Sequence, residues 1–280
     1  MSRKFALIGY PLKHTMSPPI HKRLFELSGK TGEYSVIEIP PEKLPESMGM
    51  LNSLDGYNVT IPHKIAVIPF LDSLDGSAKR YGAVNCVSKD DGEKIGFNTD
   101  CLGFLRSLDA AGLSLDGKVL LLGLGGAGRM MAVESAINGA ELTIAVRDHS
   151  LKAAEEFTEE IIKHIPDASL KVIDINSVEG SFDLMINATP VGMFPETDKS
   201  PVGEDIVKNC GALFDAIYNP TKTVLMDMFI KTGKKAVGGM AMLVWQAAAA
   251  HEIWDNAEYD EKDINALVSE MEKLLEEKFR

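Results

Sequence analysis

Short apolar runs alternate with amphipathic stretches along nearly the whole chain. Phe5-Ala-Leu-Ile-Gly9 precedes a helix-spaced segment after Ser17, Tyr34-Ser-Val-Ile-Glu-Ile39 precedes one near residues 42–54, and Tyr57-Asn-Val-Thr-Ile61 precedes one after Pro62. Brief apolar runs bounded by Gly and Pro read as strands, and strands that alternate with helices predict an α/β fold with a largely parallel sheet. Residues 83–100 break the alternation: two extended segments flank Asp91-Gly92, a dipeptide suited to a tight hairpin. From Lys118 the pattern restarts with Lys118-Val-Leu-Leu-Leu-Gly123, a glycine-rich turn and a helix. Strand-like runs then follow at residues 141–146, 170–175, 182–189 and 212–218. This is a Rossmann-type doubly wound series, long enough to form a domain of its own. Helical segments at 240–254 and 263–279 have no strand after them, so they are expected to cap the structure or return to the first domain. The expected organisation is a first α/β domain of residues 1–101 plus 239–280, and a second, Rossmann-type domain of residues 102–238.

Composition sharpens this picture. A chain of 280 residues, 45% hydrophobic, is long enough for two cores. Its 29 basic and 41 acidic residues leave a formal charge of -12, which argues against a nucleic-acid partner. Cys86, Cys101 and Cys210 are odd in number and widely spaced, which indicates neither a disulfide framework nor a zinc site and fits a reducing cytoplasm. The apolar run near the N-terminus is too brief for a signal peptide, and no stretch is long enough to span a bilayer. A cytoplasmic protein with no membrane partner is expected.

Gly123, Gly125, Gly126 and Gly128, with Ala127 among them, follow an apolar strand and open a helix. Glycines there permit a tight turn and let backbone N–H groups approach a pyrophosphate at the helix N-terminus. Gly123, Gly125 and Gly128 fit GxGxxG, and the surrounding strand, helix and strand supply the context that motif needs. The competing readings are a purely structural turn and the glycine-rich loop of a methyltransferase.

In Asn58-Val-Thr-Ile-Pro-His-Lys64 a proline stops a strand and a lysine follows. With Pro62 at the first helical position, Lys64 falls in the first turn, where the helix field disfavours an ammonium and biases it toward acid/base use. The plain alternative is a surface lysine. In Gly96-Phe-Asn-Thr-Asp-Cys-Leu-Gly103, Thr99 reads as a helix N-cap and Asp100 as the first helical residue. An aspartate there could orient a lysine, or simply start a helix.

Several separated motifs together resemble the shikimate dehydrogenase family, including its quinate/shikimate members. They are GYPLKHTMSPPIH (9–21), NVTIPHK (58–64), GAVN (82–85), GFNTD (96–100), GLGGAGR (123–129), INATPVGM (186–193), DAIYNPTKT (215–223) and MLVWQAA (242–248). The resemblance implies an NAD(P)-dependent oxidoreductase that reversibly reduces 3-dehydroshikimate to shikimate in chorismate and aromatic amino-acid biosynthesis, as a monomer or homodimer. It implies Lys64 and Asp100 as the catalytic pair. It also implies Thr15 and Ser17 at the substrate carboxylate, and Thr60, Asn85, Asp100 and Gln246 at ring hydroxyls, with Tyr218 near both ligands. On the cofactor side it implies Gly123, Gly125, Gly126, Ala127, Gly128, Arg147, Asp148, Thr189 and Gly239, with Met240 and Met242 near the nicotinamide or in the core. Ser17 has the alternative of capping the helix begun by Pro18. His14, His21 and His63 suit no metal by spacing, and no metal is expected. Two departures matter. Thr15 replaces the usual serine, which leaves quinate open as a substrate. Val146-Arg147-Asp148 stands where the NADP form has Asn-Arg-Thr or Asn-Arg-Ser: Arg147 favours NADP, while Asp148 favours NAD or caps the next helix. The other readings are a quinate dehydrogenase using NAD and a non-catalytic ligand sensor on the same fold.

Overall fold

The computed structural model describes residues 3–12 and 15–278. The chain divides into two compact units, Met1–Gly103 with Val244–Met271, and Phe104–Leu243 with Glu272–Arg280.

In the first unit the order is β1 (Arg3–Gly9), α1 (Ser17–Ser28), β2 (Gly32–Glu38), α2 (Leu44–Leu51), β3 (Gly56–Val59), α3 (His63–Ala66), β4 (Ser73–Leu74), α4 (Gly76–Tyr81), β5 (Cys86–Asp90) and β6 (Glu93–Phe97). The first residues of α5 (Asp100–Ala110) also belong to it. Its sheet runs β2-β1-β3-β5-β6-β4. Here the sequence expectation of a largely parallel sheet needs qualification: β1 is parallel to β2 and β3, but β5 is antiparallel to both β3 and β6. The β5–β6 hairpin turns at Asp91 and Gly92, both with positive φ (44° and 91°), as a tight turn between twisted strands requires. The two-residue β4 is too short to leave a period in the sequence.

Two apolar clusters close this sheet. One includes Ile8, Leu44, Leu51, Tyr57 and Val84; the other gathers Phe5, Phe25, Cys86, Ala250 and Trp254. Trp254 stacks on Phe5 with centroids 4.6 Å apart and donates from Nε1 to the Val87 carbonyl at 3.0 Å, so it leaves no unpaired buried donor.

The second unit contains the rest of α5, then β7 (Lys118–Leu122), α6 (Gly126–Ile137), β8 (Glu141–Val146), α7 (Leu151–His164), β9 (Ser169–Asp174), β10 (Phe182–Asn187), α8 (Glu204–Lys208), β11 (Cys210–Asp215), α9 (Val224–Lys231) and β12 (Lys235–Gly238). Helices α10 (Gly239–Asp255) and α11 (Glu261–Lys278) complete the chain, each divided between the units. All strand pairs of the second sheet are parallel, in the order β12-β11-β10-β7-β8-β9, the doubly wound arrangement expected. Residues Val119 to Leu122 are all buried, as a strand covered on both faces demands. The four-residue β12 was not legible. No helix among the described residues is long and apolar enough to cross a membrane.

Gly56 opens β3 where a side chain has no room: a Cβ would lie 2.5 Å from Trp254 Nε1 and 2.9 Å from the Val87 carbonyl. Gly56→Ala is therefore expected to destabilise the protein by about 1–3 kcal/mol, the usual cost of overpacking. Thermal unfolding checks this. An unchanged midpoint would mean that the tryptophan moves aside without loss of its bond to Val87.

Candidate active site

Four segments reach one edge of the first sheet because of its strand directions. Parallel β1 and β3 deliver the residues after them, including Ser17 and Lys64, to their carboxyl ends. Antiparallel β5 begins at that same edge, next to Asn85, and β6 returns to it before Asp100. A backbone bond from Val84 N–H to the Lys64 carbonyl (2.8 Å) ties two of these segments together.

Asn85 is the hub. Its Oδ1 accepts from Thr99 N–H at 2.6 Å, and its Nδ2 donates to Asp100 Oδ1 at 2.8 Å. Nδ2 also faces Thr99 Oγ1 at 3.0 Å and Gln246 Oε1, contributed by α10, at 3.3 Å. The other oxygen of Asp100, Oδ2, accepts from Lys64 Nζ at 2.6 Å. Behind the hub, Asn58 Nδ2 donates to the Asn85 carbonyl (3.3 Å) and Asn58 Oδ1 accepts from Tyr34 (2.7 Å). Asn85, Thr99 and Gln246 are buried, whereas the Lys64 and Asp100 side chains keep 31% and 20% of their exposure. A charged pair that remains accessible, braced from behind by buried amides, can exchange a proton with a bound molecule without being left unsatisfied.

The structure thus brings together Lys64, Asn85, Asp100 and Gln246. Thr99, read from sequence as a cap, adds a hydroxyl to the cluster. Its carbonyl accepts from Gly103 N–H at 2.9 Å, so Asp100 does open α5. Two local expectations change. Pro62 precedes α3 rather than occupying its first position, and α3 is one turn, so the field at Lys64 is that of a single turn and not of a long helix. Ser17 does not cap α1: it is the first helical residue, Met16 stands at the cap, and no side-chain cap bond forms. Instead Ser17 N–H donates to Thr15 Oγ1 at 3.1 Å, and the Ser17 hydroxyl approaches Tyr34. Thr60 is half-buried at the end of β3, its N–H bonded to the Ile8 carbonyl at 2.9 Å.

Two of the histidines are engaged inside the first unit. His63 bonds the Ile39 carbonyl (2.6 Å), and His21 lies fully buried with Nδ1 3.0 Å from His251 Nε2. Burial first, and the neighbouring His251 second, hold His21 well below the usual imidazole pKa, so it stays neutral. His14 lies outside the described residues.

In the second unit a cleft of about 580 Å³ follows the carboxyl ends of β7, β8 and β10. Its walls include Gly123, Gly125, Arg129, Arg147, Ser150 and Thr189. Gly123 has φ +86°, and a Cβ on Gly128 would come 2.5 Å from the Gly123 carbonyl, so these two glycines are required by the turn itself. Gly125 and Gly126 are different: a Cβ there would meet nothing within 4 Å. Internal packing does not explain their small size, whereas a ligand laid against the backbone at the start of α6 does, and the cradle fits a dinucleotide pyrophosphate. Ala127 lies exposed in the first turn of the same helix.

Beyond β8, Arg147 lines the cleft, while the exposed Asp148 is absent from its walls. Nor is Asp148 the cap of α7: it opens a short 3-10 turn, and Ser150 precedes the helix. Arg129 was missed by sequence reasoning although it ends the glycine motif; its guanidinium lies 4.5 Å over the Phe157 ring. Tyr218 is half-buried after β11, and burial raises its phenol above the ordinary value. Gly239 must be glycine for a local reason, since a side chain would strike the Ala216 carbonyl. Met240 is buried and Met242 half-buried.

Comparisons with known proteins point to one family. Residues 7–87 match the shikimate dehydrogenase substrate binding domain. A shikimate dehydrogenase (NADP(+)) from Shouchella clausii is 36% identical over 273 residues, covering 96% of this chain and 98% of that protein. Among solved structures, a chorismate mutase/shikimate 5-dehydrogenase fusion protein from Clostridium acetobutylicum superposes with a TM-score of 0.88 at 33% identity, covering 99% of both chains. Shikimate 5-dehydrogenase from Listeria monocytogenes, solved with shikimate and NAD, gives 0.84 at 29% identity, covering 98% of this chain and 96% of that one. With a relative more than 30% identical across almost its whole length, this chain belongs to the shikimate dehydrogenase family.

Proposed function

We propose that this chain catalyses the reversible reduction of 3-dehydroshikimate to shikimate with NADP(H), in the cytoplasm, as part of chorismate biosynthesis. The observation that carries the reading is the Lys64–Asp100–Asn85 arrangement: an accessible ammonium 2.6 Å from a carboxylate whose other oxygen is fixed by a buried amide. When bound, a nicotinamide supplies or accepts the hydride. Lys64 gives the proton to the carbonyl oxygen during reduction and takes it from the hydroxyl during oxidation. Asp100 fixes the direction of the Nζ donor. Gln246 and Thr99 offer uncharged polar groups beside the same carboxylate, as a polyol acid needs. Thr15 and Ser17, joined by the 3.1 Å bond, are the hydroxyl pair for the substrate carboxylate. Because Thr15 carries an extra methyl, quinate is the substrate to compare first.

Lys64→Ala is expected to lower kcat by roughly 100- to 10,000-fold, the usual worth of a positioned acid/base, with a much smaller effect on shikimate affinity. Asp100→Asn, which keeps shape but not charge, should also lower kcat strongly. Steady-state kinetics at the nicotinamide absorbance provides the measurement, and near-normal turnover in Lys64→Ala would remove the assignment.

Ser17 makes no cap bond, so Ser17→Ala should raise KM for shikimate and leave cofactor KM nearly unchanged. A lower midpoint with parental kinetics would show that its role is only structural.

For the cofactor, Arg147 on the cleft wall fits the 2′-phosphate of NADP, while the neighbouring Asp148 weakens discrimination against NAD. NADP is expected to be preferred, with measurable turnover on NAD. Arg147→Ala should reduce kcat/KM for NADP by about tenfold or more, the scale of a lost charged hydrogen bond, and affect NAD less. Asp148→Thr should shift preference further toward NADP. If that substitution leaves the ratio of efficiencies unmoved, Asp148 has no part in cofactor choice, in keeping with its absence from the cleft walls.

A further inference from the structure

Beneath the cofactor cleft lies a carboxylate for which the reaction has no use. Asn187 and Asp215 end the adjacent parallel strands β10 and β11, in register with one another, and both are 0% exposed. Asp215 Oδ1 accepts from Asn187 Nδ2 at 3.0 Å and from Ile217 N–H at 3.1 Å; Oδ2 accepts from the Thr223 hydroxyl at 2.7 Å. Each partner is the fixed point of a different segment. Asn187 turns its Oδ1 to Thr189, accepting from the N–H at 3.0 Å and from the hydroxyl at 2.7 Å, and Thr189 lines the cleft. Ile217 begins the turn that carries Tyr218, and its carbonyl accepts from Gly239 N–H at 3.0 Å. Thr223 caps α9 by accepting from Met226 N–H at 3.1 Å.

All three groups donate to Asp215, so the arrangement is built for an acceptor-only, ionised carboxylate. Burial raises the Asp215 pKa, and the bonds from Thr223, Ile217 and Asn187 oppose that rise. Nothing in the packing of an apolar core calls for this group, since a hydrophobic residue at the end of β11 would avoid the desolvation. Its position at the carboxyl edge of the sheet, where doubly wound folds hold their ligands, supplies the reason.

We propose that Asp215 is a positioning residue for the cofactor: through Asn187 it fixes the Thr189 hydroxyl on the cleft wall, and through Ile217 and Thr223 it fixes the 216–223 segment. The proposal rests on the reading of the cleft as the NADP(H) site. It predicts that Asp215→Asn, which keeps shape but replaces one acceptor by a donor, weakens NADPH binding by roughly tenfold. KM for shikimate should change less, since Tyr218 is the one residue of the 216–223 segment read as near the substrate.

The test is direct titration of NADPH onto the intact protein by its fluorescence, at a temperature where parent and variant are both folded by circular dichroism, with kinetics alongside. A double-mutant cycle with Thr189→Val separates positioning from general stability: the Asp215→Asn effect on NADPH affinity should shrink when the Thr189 hydroxyl is gone. Parental affinity in Asp215→Asn with only a lower thermal midpoint would overturn the proposal, as would full additivity in the cycle. If Asp215→Asn fails to fold, Thr223→Val, which removes the Oδ2 partner together with the Met226 cap bond, carries the same titration with the same expected and overturning results, and Thr223→Ser, which keeps both bonds, is the control that should bind NADPH like the parent. Absence of saturable NADPH or NADH binding by the parent would overturn the reading of the cleft itself, and this proposal with it.

Discussion

Asp100 divides its two oxygens between groups of different kind: Oδ2 meets a flexible, partly exposed ammonium, and Oδ1 meets a buried amide. The division sets the geometry of the whole first unit's functional edge. A carboxylate held only by lysine would follow the lysine's rotamers. Held also by Asn85, it makes the lysine follow it. Asn85 is in turn fixed by Thr99 N–H and by the strand register that starts β5 beside the end of β3. The antiparallel insertion of β5 and β6 into an otherwise parallel sheet is thus what lets a residue before one strand and a residue after the next meet at one edge.

That insertion also marks where sequence stops being informative. The hairpin at Asp91-Gly92 was legible because its turn has local chemistry. The pairing of β5 with β3 was not, because antiparallel partners share no local signal across 27 residues, the separation of Asn58 from Asn85. The parallel second sheet was easier to read: strands covered on both faces are continuous apolar runs, and the glycine turn has a fixed spacing. Very short elements, β4 and β12, are defined by their neighbours rather than by their own residues.

Among site residues the same distinction holds. Gly123 and Gly128 are required by conformation and close approach, constraints that a local sequence expresses. Gln246 looks like a polar interruption of an alanine-rich helix, and only tertiary structure shows its oxygen 3.3 Å from an amide 161 residues earlier. The family resemblance reached Gln246; residue chemistry alone did not. Conversely, local rules misplaced Ser17, Pro62 and Asp148, because each is a residue type favoured at helix starts and each stands within a few residues of one.

The two buried-edge aspartates show how solvent decides what a carboxylate does. Asp215 has lost all exposure and gained three neutral donors, which oppose the desolvation without cancelling it. Such a group can hold segments in place and cannot take part in chemistry above it. Asp100 keeps a fifth of its exposure and has a cation as its partner, so the cost of charge is shared with water and with Lys64. The same side chain stands at the carboxyl edge of each sheet, sealed among neutral donors in one and left partly wet beside a cation in the other.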